Sequence, residues 1–308
     1  MRYSLVSRVR GIFLGALIGE NLATPNDGDL GKMAVLGSQS LIALGKLDVD
    51  DWLKRYQKAA IDLEQTNTNW ERIILATLPV AVFFHEDTIK LKQNLLQVLQ
   101  IWDTDPMVTD AALVIGYAIA QSLTETLDPL TFIPQTISFL EKTTTPIPQN
   151  LLKVDKLLAQ GAGLQQVQNE LIKQKELCSH ITLAVYCFLS SLEDFRLTLL
   201  RVSANFSEQE SGSLGLQTRS ALAGALSGAY NSTTGIPVNW QVLFSANNSP
   251  IWKQNSFFQM LELADQLVAV WSGLYNLTSN TKELTEVGCG MNGDTLSVYT
   301  APSVIRPR

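Results

Sequence analysis

Positive charge is scarce and dispersed in this chain: 23 Lys and Arg stand against 29 Asp and Glu, giving a net charge of −6 and a pI near 5.0. A surface built for nucleic acid or anionic lipid needs clustered Lys and Arg, so neither partner is expected. Cysteine is also rare. The three present, Cys178, Cys187 and Cys289, are an odd set without metal-ligand spacing, which points to unpaired thiols in a reduced, cytoplasmic protein. Cys178 and Cys187 fall on a helical pattern and read as small buried apolar residues. Cys289, in a Gly-Cys-Gly stretch, reads as exposed. Long apolar runs are missing too, since residues 111–120 fall far below the roughly 18 residues that a membrane-spanning helix needs. Arg2, Arg8 and Arg10 precede an apolar run at residues 11–19 as they would in a signal peptide. That run is short, holds three glycines and ends in Glu20 without a small-x-small cleavage site, so secretion is not expected. Only two histidines occur, His85 and His180, both beside apolar stretches that suit structural roles. No Gly-x-Ser-x-Gly elbow, phosphate loop or Cys/His nucleophile pair is found.

What the chain does have is apolar mass and helical period. With 308 residues, 46% of them hydrophobic and 17% charged, it can bury a large core. Val6, Val9, Phe13 and Leu17 recur at three- and four-residue steps, as do Trp52, Tyr56, Ala59, Ala60 and Leu63. Similar patterns cover residues 69–84, 90–102, 108–123, 132–141, 151–158, 164–170, 181–192, 194–204 and 256–275. Prolines break them, and Asp48, Thr109 and Ser256 are capping candidates. Strand-like alternation is scarce. The expectation is an all-α protein, a single multi-helix array over residues 1–277, with a polar tail or strap over 278–308.

Two helices carry stripes of small residues: Gly11, Gly15 and Gly19 on the first, and Ala221, Gly224, Ala225 and Gly228 on the other. Small residues four apart share one face and let two helix axes approach closely. Glycine in a helix costs roughly 0.5–1 kcal/mol against alanine, so both stripes should mark central, tightly packed helices.

The second stripe lies in Gln217-Thr-Arg-Ser-Ala-Leu-Ala-Gly-Ala-Leu-Ser-Gly-Ala-Tyr230, followed by Gly235-Ile-Pro-Val-Asn-Trp240. The first lies in Arg8-Val-Arg-Gly-Ile-Phe-Leu-Gly-Ala-Leu-Ile-Gly-Glu-Asn21. A third element, Met33-Ala-Val-Leu-Gly-Ser-Gln-Ser-Leu41, runs on to Leu47-Asp-Val-Asp-Asp-Trp52. Together these resemble the ADP-ribosylglycohydrolase family. Its opening helix reads Arg-x-x-Gly-x-x-x-Gly-x-x-x-Gly-Asp-Ala, and its metal-site helix carries Asp-x-Asp-Thr before an Ala/Gly-rich run and an Ile-Pro-x-x-Trp loop.

The resemblance implies a helical fold holding two magnesium ions, with ADP-ribose bound above them and cleaved from a protein side chain. The acids that would hold those ions are mostly absent here. Thr218 falls on the family's closing threonine, while the two aspartates of that motif fall on Gly215 and Gln217. The family's Thr-Asp-Asp-Thr tetrad reads Gly28, Asp29, Leu30 and Gly31, and Glu20 replaces the aspartate of the opening helix. Asp27, Gly28, Asp29, Gly215, Gln217 and Thr218 thus outline a vestigial cleft, with Glu20 and Asp29 as its remaining carboxylates and Asp27, Glu208 and Glu210 as nearby acids. Magnesium requires several oxygen ligands, usually carboxylates and waters, so no metal and no cofactor are expected. The reading is a catalytically inactive relative that serves as a binding or scaffolding module for an unknown protein partner, with residual ADP-ribose or nucleotide binding left open. The alternative is a divergent hydrolase that removes ADP-ribose from protein side chains through an altered or metal-free site, with Glu20 and Asp29 as acid and base.

Overall fold

The computed structural model describes residues 3–23, 31–59, 70–102, 105–171, 176–204, 214–246, 257–276 and 297–299. The helices are α1 Leu5–Ala23, α2 Lys32–Leu44, α3 Val49–Lys58, α4 Trp70–Ala76, α5 Leu78–Phe83, α6 Thr88–Leu99, α7 Pro106–Leu123 and α8 Phe132–Leu140. They continue as α9 Ile147–Ala159, α10 Leu164–Leu171, α11 Glu176–Ser190, α12 Phe195–Ser203, α13 Leu214–Asn231, α14 Val238–Ala246 and α15 Phe257–Ser272. The fold is all-α, as the periodicity predicts. Two short strands, β1 Leu274–Asn276 and β2 Ser297–Tyr299, pair antiparallel with Leu274 opposite Tyr299. The rest of the 278–308 segment, Cys289 included, lies outside the described residues.

Aspartate starts several helices. Asp48 accepts from the Asp51 N–H at 3.0 Å ahead of α3, and Asp194 accepts from the Leu197 N–H at 2.8 Å ahead of α12; each satisfies one amide that the helix itself cannot. α7 begins three residues before the capping candidate Thr109. Asp105 is the cap, accepting from the Met107 N–H at 2.7 Å, and Pro106 occupies the first turn, where its missing N–H costs nothing. Ser256 lies outside the described residues. The pattern over 69–84 is interrupted at Thr77, because Pro79 lacks an N–H to continue the α4 ladder. α2 stops at Gly45, whose φ of 64° is left-handed backbone that glycine adopts without strain.

α1 and α13 lie side by side at the centre. α15 packs on α1, α11 and α12 pack on α13, and α7 touches α13 from another side. α7 meets the length and composition of a membrane span, yet 83% of it is buried within this protein, as suits a core helix. Cys178 and Cys187 are free and fully buried, and burial pushes the Cys187 thiol up to about 12. Trp52, Tyr56 and Trp102 form a fully covered aromatic cluster with ring centroids about 6 Å apart.

Candidate functional site

The glycine stripes face each other. A Cβ on Gly11 would run into the Gly228 carbonyl, one on Gly15 into that of Gly224, and one on Gly19 into that of Ser220. Each rise of four along α1 is matched by a fall of four along α13, so the helices are antiparallel and touch backbone to backbone. The C-terminal end of α1, with Glu20, therefore lies beside the N-terminal end of α13, with Gln217 and Thr218. Those are the ends of the two altered motifs, and the fold brings them together. Asp27, Gly28, Asp29 and Leu30 lie outside the described residues, as do Glu208 and Glu210. Gly31, the last of the tetrad, is buried immediately before α2.

Past Leu214, which is 44% exposed, the N-terminal part of α13 is buried. Gln217, Thr218, Arg219 and Ser220 are all buried, and Glu20 opposite them is 0% exposed. The side-chain hydroxyls of Thr218 and Ser220 have no hydrogen-bond partner among the described residues, a cost of about 1–3 kcal/mol for each such buried group.

Two residues beyond the expected ligand positions shape this end of the seam. His180, on α11, fills the space in front of Gly215. Its Nε2, Cδ2 and Cε1 all stand inside 3.0 Å of where a Cβ at position 215 would be. The ring is stacked on Trp70 of α4, with centroids 5.9 Å apart and planes 27° from parallel. Burial, and secondarily the charge of Arg219, lower the His180 pKa to about 4, so the imidazole is neutral at pH 7.

Arg219 follows Thr218 directly and is 2% exposed. Its Nε donates to the Val202 carbonyl at 3.1 Å, and its terminal nitrogen to the Ala204 carbonyl at 3.4 Å. These oxygens lie at the C-terminal end of α12, where helix carbonyls lack partners and a cation is favoured. The site thus holds a permanent guanidinium within electrostatic reach of a neutral imidazole.

Sequence reading places His180 in a structural role and gives none to Arg219. The available signal for Arg219 is an arginine interrupting an otherwise small-residue helix. For His180 no local signal exists, because Gly215 and His180 meet only in the fold. His85, the other histidine, donates through Nδ1 to the Val82 carbonyl at 2.7 Å and lies against Trp271, as a structural residue would.

The sequence profile described as ADP-ribosylglycohydrolase matches residues 36–276. No curated protein matches. A solved structure described as an ADP-ribosylglycohydrolase-related protein complex superposes with a TM-score of 0.63 over 87% of this chain and 99% of that one, at 14% identity. At that identity the likeness speaks for the fold alone. With the profile covering most of its length, the chain belongs to the ADP-ribosylglycohydrolase family.

Proposed function

We propose that this chain keeps the family's fold without its two-magnesium chemistry and works as a binding or scaffolding protein. The observation that carries the reading is the side-chain set at the start of α13. Magnesium takes carboxylate, carbonyl and water oxygens in near-octahedral geometry, and Gly215 and Gln217 bring no anion to the positions where the resemblance puts aspartates. The volume a carboxylate at 215 would use is filled by the His180 ring. Arg219 contributes a buried positive charge, which repels a divalent cation with a force that low-dielectric surroundings strengthen. The orphaned Thr218 and Ser220 hydroxyls are features of this stretch that still suit a ligand. The residues described do not fit a binuclear magnesium centre, and no catalytic step is assigned to one.

The alternative, metal-free hydrolysis by Glu20 and Asp29, needs carboxylates that reach a glycosidic oxygen. Full burial of Glu20 weighs against it. Residual binding of ADP-ribose or another nucleotide, and docking of an unknown protein partner, belong to the preferred reading, and reduced cytoplasmic surroundings suit its buried free thiols.

The test is release of ADP-ribose from ADP-ribosylated peptides, with magnesium and with a chelator. No release in either condition is expected. Magnesium-dependent release would contradict the reading, and release indifferent to chelator would establish the metal-free alternative.

A further inference from the structure

A pocket of about 430 Å³ opens on the far side of α11 from the α1–α13 seam site, between the C-terminal ends of α9 and α11, α12, and the turn that precedes α8. Tyr186 and Ser190 line it, six and ten residues along α11 from His180. At 1.5 Å per residue that is about 9 Å and 15 Å along the axis, so the pocket is separate from the family cleft.

Its charges are of both signs and are not spent on each other. Arg201 and Asp155 both line the cavity and both are partly buried. No ion pair joins them, and neither side chain makes a hydrogen bond to any other described residue. Both remain partly exposed at the cavity, so each is free to meet a charged group of opposite sign. The guanidinium is nonetheless held in place: it lies over the Tyr186 ring, 5.6 Å from the centroid. That ring is 2% exposed and is fixed by its hydroxyl donating to the Ala162 carbonyl. A planar donor fork beside an aromatic face is suited to a carboxylate.

Apolar side chains line the rest of the cavity apart from Ser190. Leu158 and Leu189 line the interior, and Leu130 forms a lip that is 85% exposed. Leu130 does not owe that exposure to a loose loop. Asp128 accepts from its N–H at 3.1 Å and from the Thr131 hydroxyl at 3.2 Å, so the turn is pinned with the leucine outward. A large apolar side chain held in solvent at a cavity mouth gains by closing over an apolar ligand.

We infer that this pocket binds a small zwitterion with an apolar side group, of the class of a free aliphatic α-amino acid. Arg201 takes the carboxylate, Asp155 the ammonium, and Leu130, Leu158 and Leu189 the side chain. The volume falls within the usual range for small-molecule sites. A peptide end would satisfy only one of the two charges.

The experiment is calorimetric titration of the full chain with L-leucine, N-acetyl-leucine and leucinamide, each to about 10 mM, in line with millimolar or tighter binding. Saturable heat is expected for L-leucine, with affinity about tenfold weaker for each analogue that lacks one charge. Arg201→Gln and Asp155→Asn should each remove the preference for the zwitterion. Asp155 has no partner among the described residues, so D155N reports on the ligand even if R201Q, which removes the cation over the Tyr186 ring, proves unstable. Absence of saturable heat with L-leucine, valine and phenylalanine alike would overturn the inference, as would a D155N chain that binds leucine as the parent does. This site stands or falls independently of hydrolysis at the α1–α13 seam.

Discussion

The two ends of α13 are under different physical demands. From Ser220 to Gly228 the helix presses backbone to backbone against α1, and any added Cβ meets a carbonyl. From Leu214 to Arg219 it carries Gly215 and Gln217 where the resemblance puts aspartates, with an imidazole and a buried guanidinium beside them. Close packing tolerates no gradual change, because the interior is dense and two large helices must keep their separation. A region of side-chain contacts accepts substitution one residue at a time, provided that each open volume is filled and each buried charge finds an acceptor. His180 does the first beside Gly215, and the carbonyls of Val202 and Ala204 do the second for Arg219.

The contrast can be broken most directly at the packed end. Gly15→Val or Gly224→Val should cost about 3 kcal/mol or more, the upper range for overpacking, or prevent folding outright, read by urea denaturation. A loss below about 1 kcal/mol at either position would mean that the helices separate easily and that the stripe is not what fixes them.

At the other end the largest effect is a pH dependence. The folded pKa of His180, about 4, lies below the 6.5 of an ordinary histidine. The unfolded chain therefore binds a proton that the native chain refuses as pH falls through that window. Stability rises with pH wherever the unfolded state holds more protons, so this histidine costs nothing above pH 6.5 and takes away roughly 3 kcal/mol by about pH 4. Urea midpoints at pH 7, 5.5 and 4.5 should decline, and His180→Phe should flatten that part of the curve. An unchanged slope in the variant would show that the ring is solvated or paired.

Restoring an acid sharpens the comparison further. Gly215→Asp alone should destabilise by about 1–3 kcal/mol, since its Cβ meets the His180 ring. Combined with His180→Ala, the loss should be smaller than the sum of the single changes by about 0.5–3 kcal/mol, the range for residues sharing one space. Additive losses would mean that the two positions do not compete. The smallest effect belongs to the outer face of α1, where Arg10 pairs with Asp265 of α15 and both side chains are well exposed. Arg10→Gln should shift stability by no more than about 1 kcal/mol, against the large penalty at the nearby Gly11 or Gly15.

The same division separates what is legible in the amino-acid sequence from what is not. The seam is legible, because small residues at 11, 15, 19, 224 and 228 are a local pattern with one geometric meaning. Which glycine meets which carbonyl is not, since register depends on both partners at once. Helix starts are partly legible: Asp48 caps α3 as its side chain suggests, while Pro106 and Pro148, readable as breakers, sit in the first turns of α7 and α9. α14 reads as a loop in sequence because Ile236-Pro237 precedes Trp240, yet the Pro237 carbonyl accepts from Trp240 and Gln241 and opens a helix. At the site, the absent acids can be counted in sequence. The filling of their space cannot, because His180 and Gly215 are 35 positions apart and complement each other only in volume.

Whether the N-terminal part of α13 suits divalent cations is read most plainly from the number of magnesium ions retained per chain. Equilibrium dialysis against about 10 mM magnesium with ADP-ribose present, followed by elemental analysis, should return no stoichiometric metal, as expected where hard-cation oxygen ligands are lacking. Two magnesium ions per chain, lost on Thr218→Val, would contradict the account.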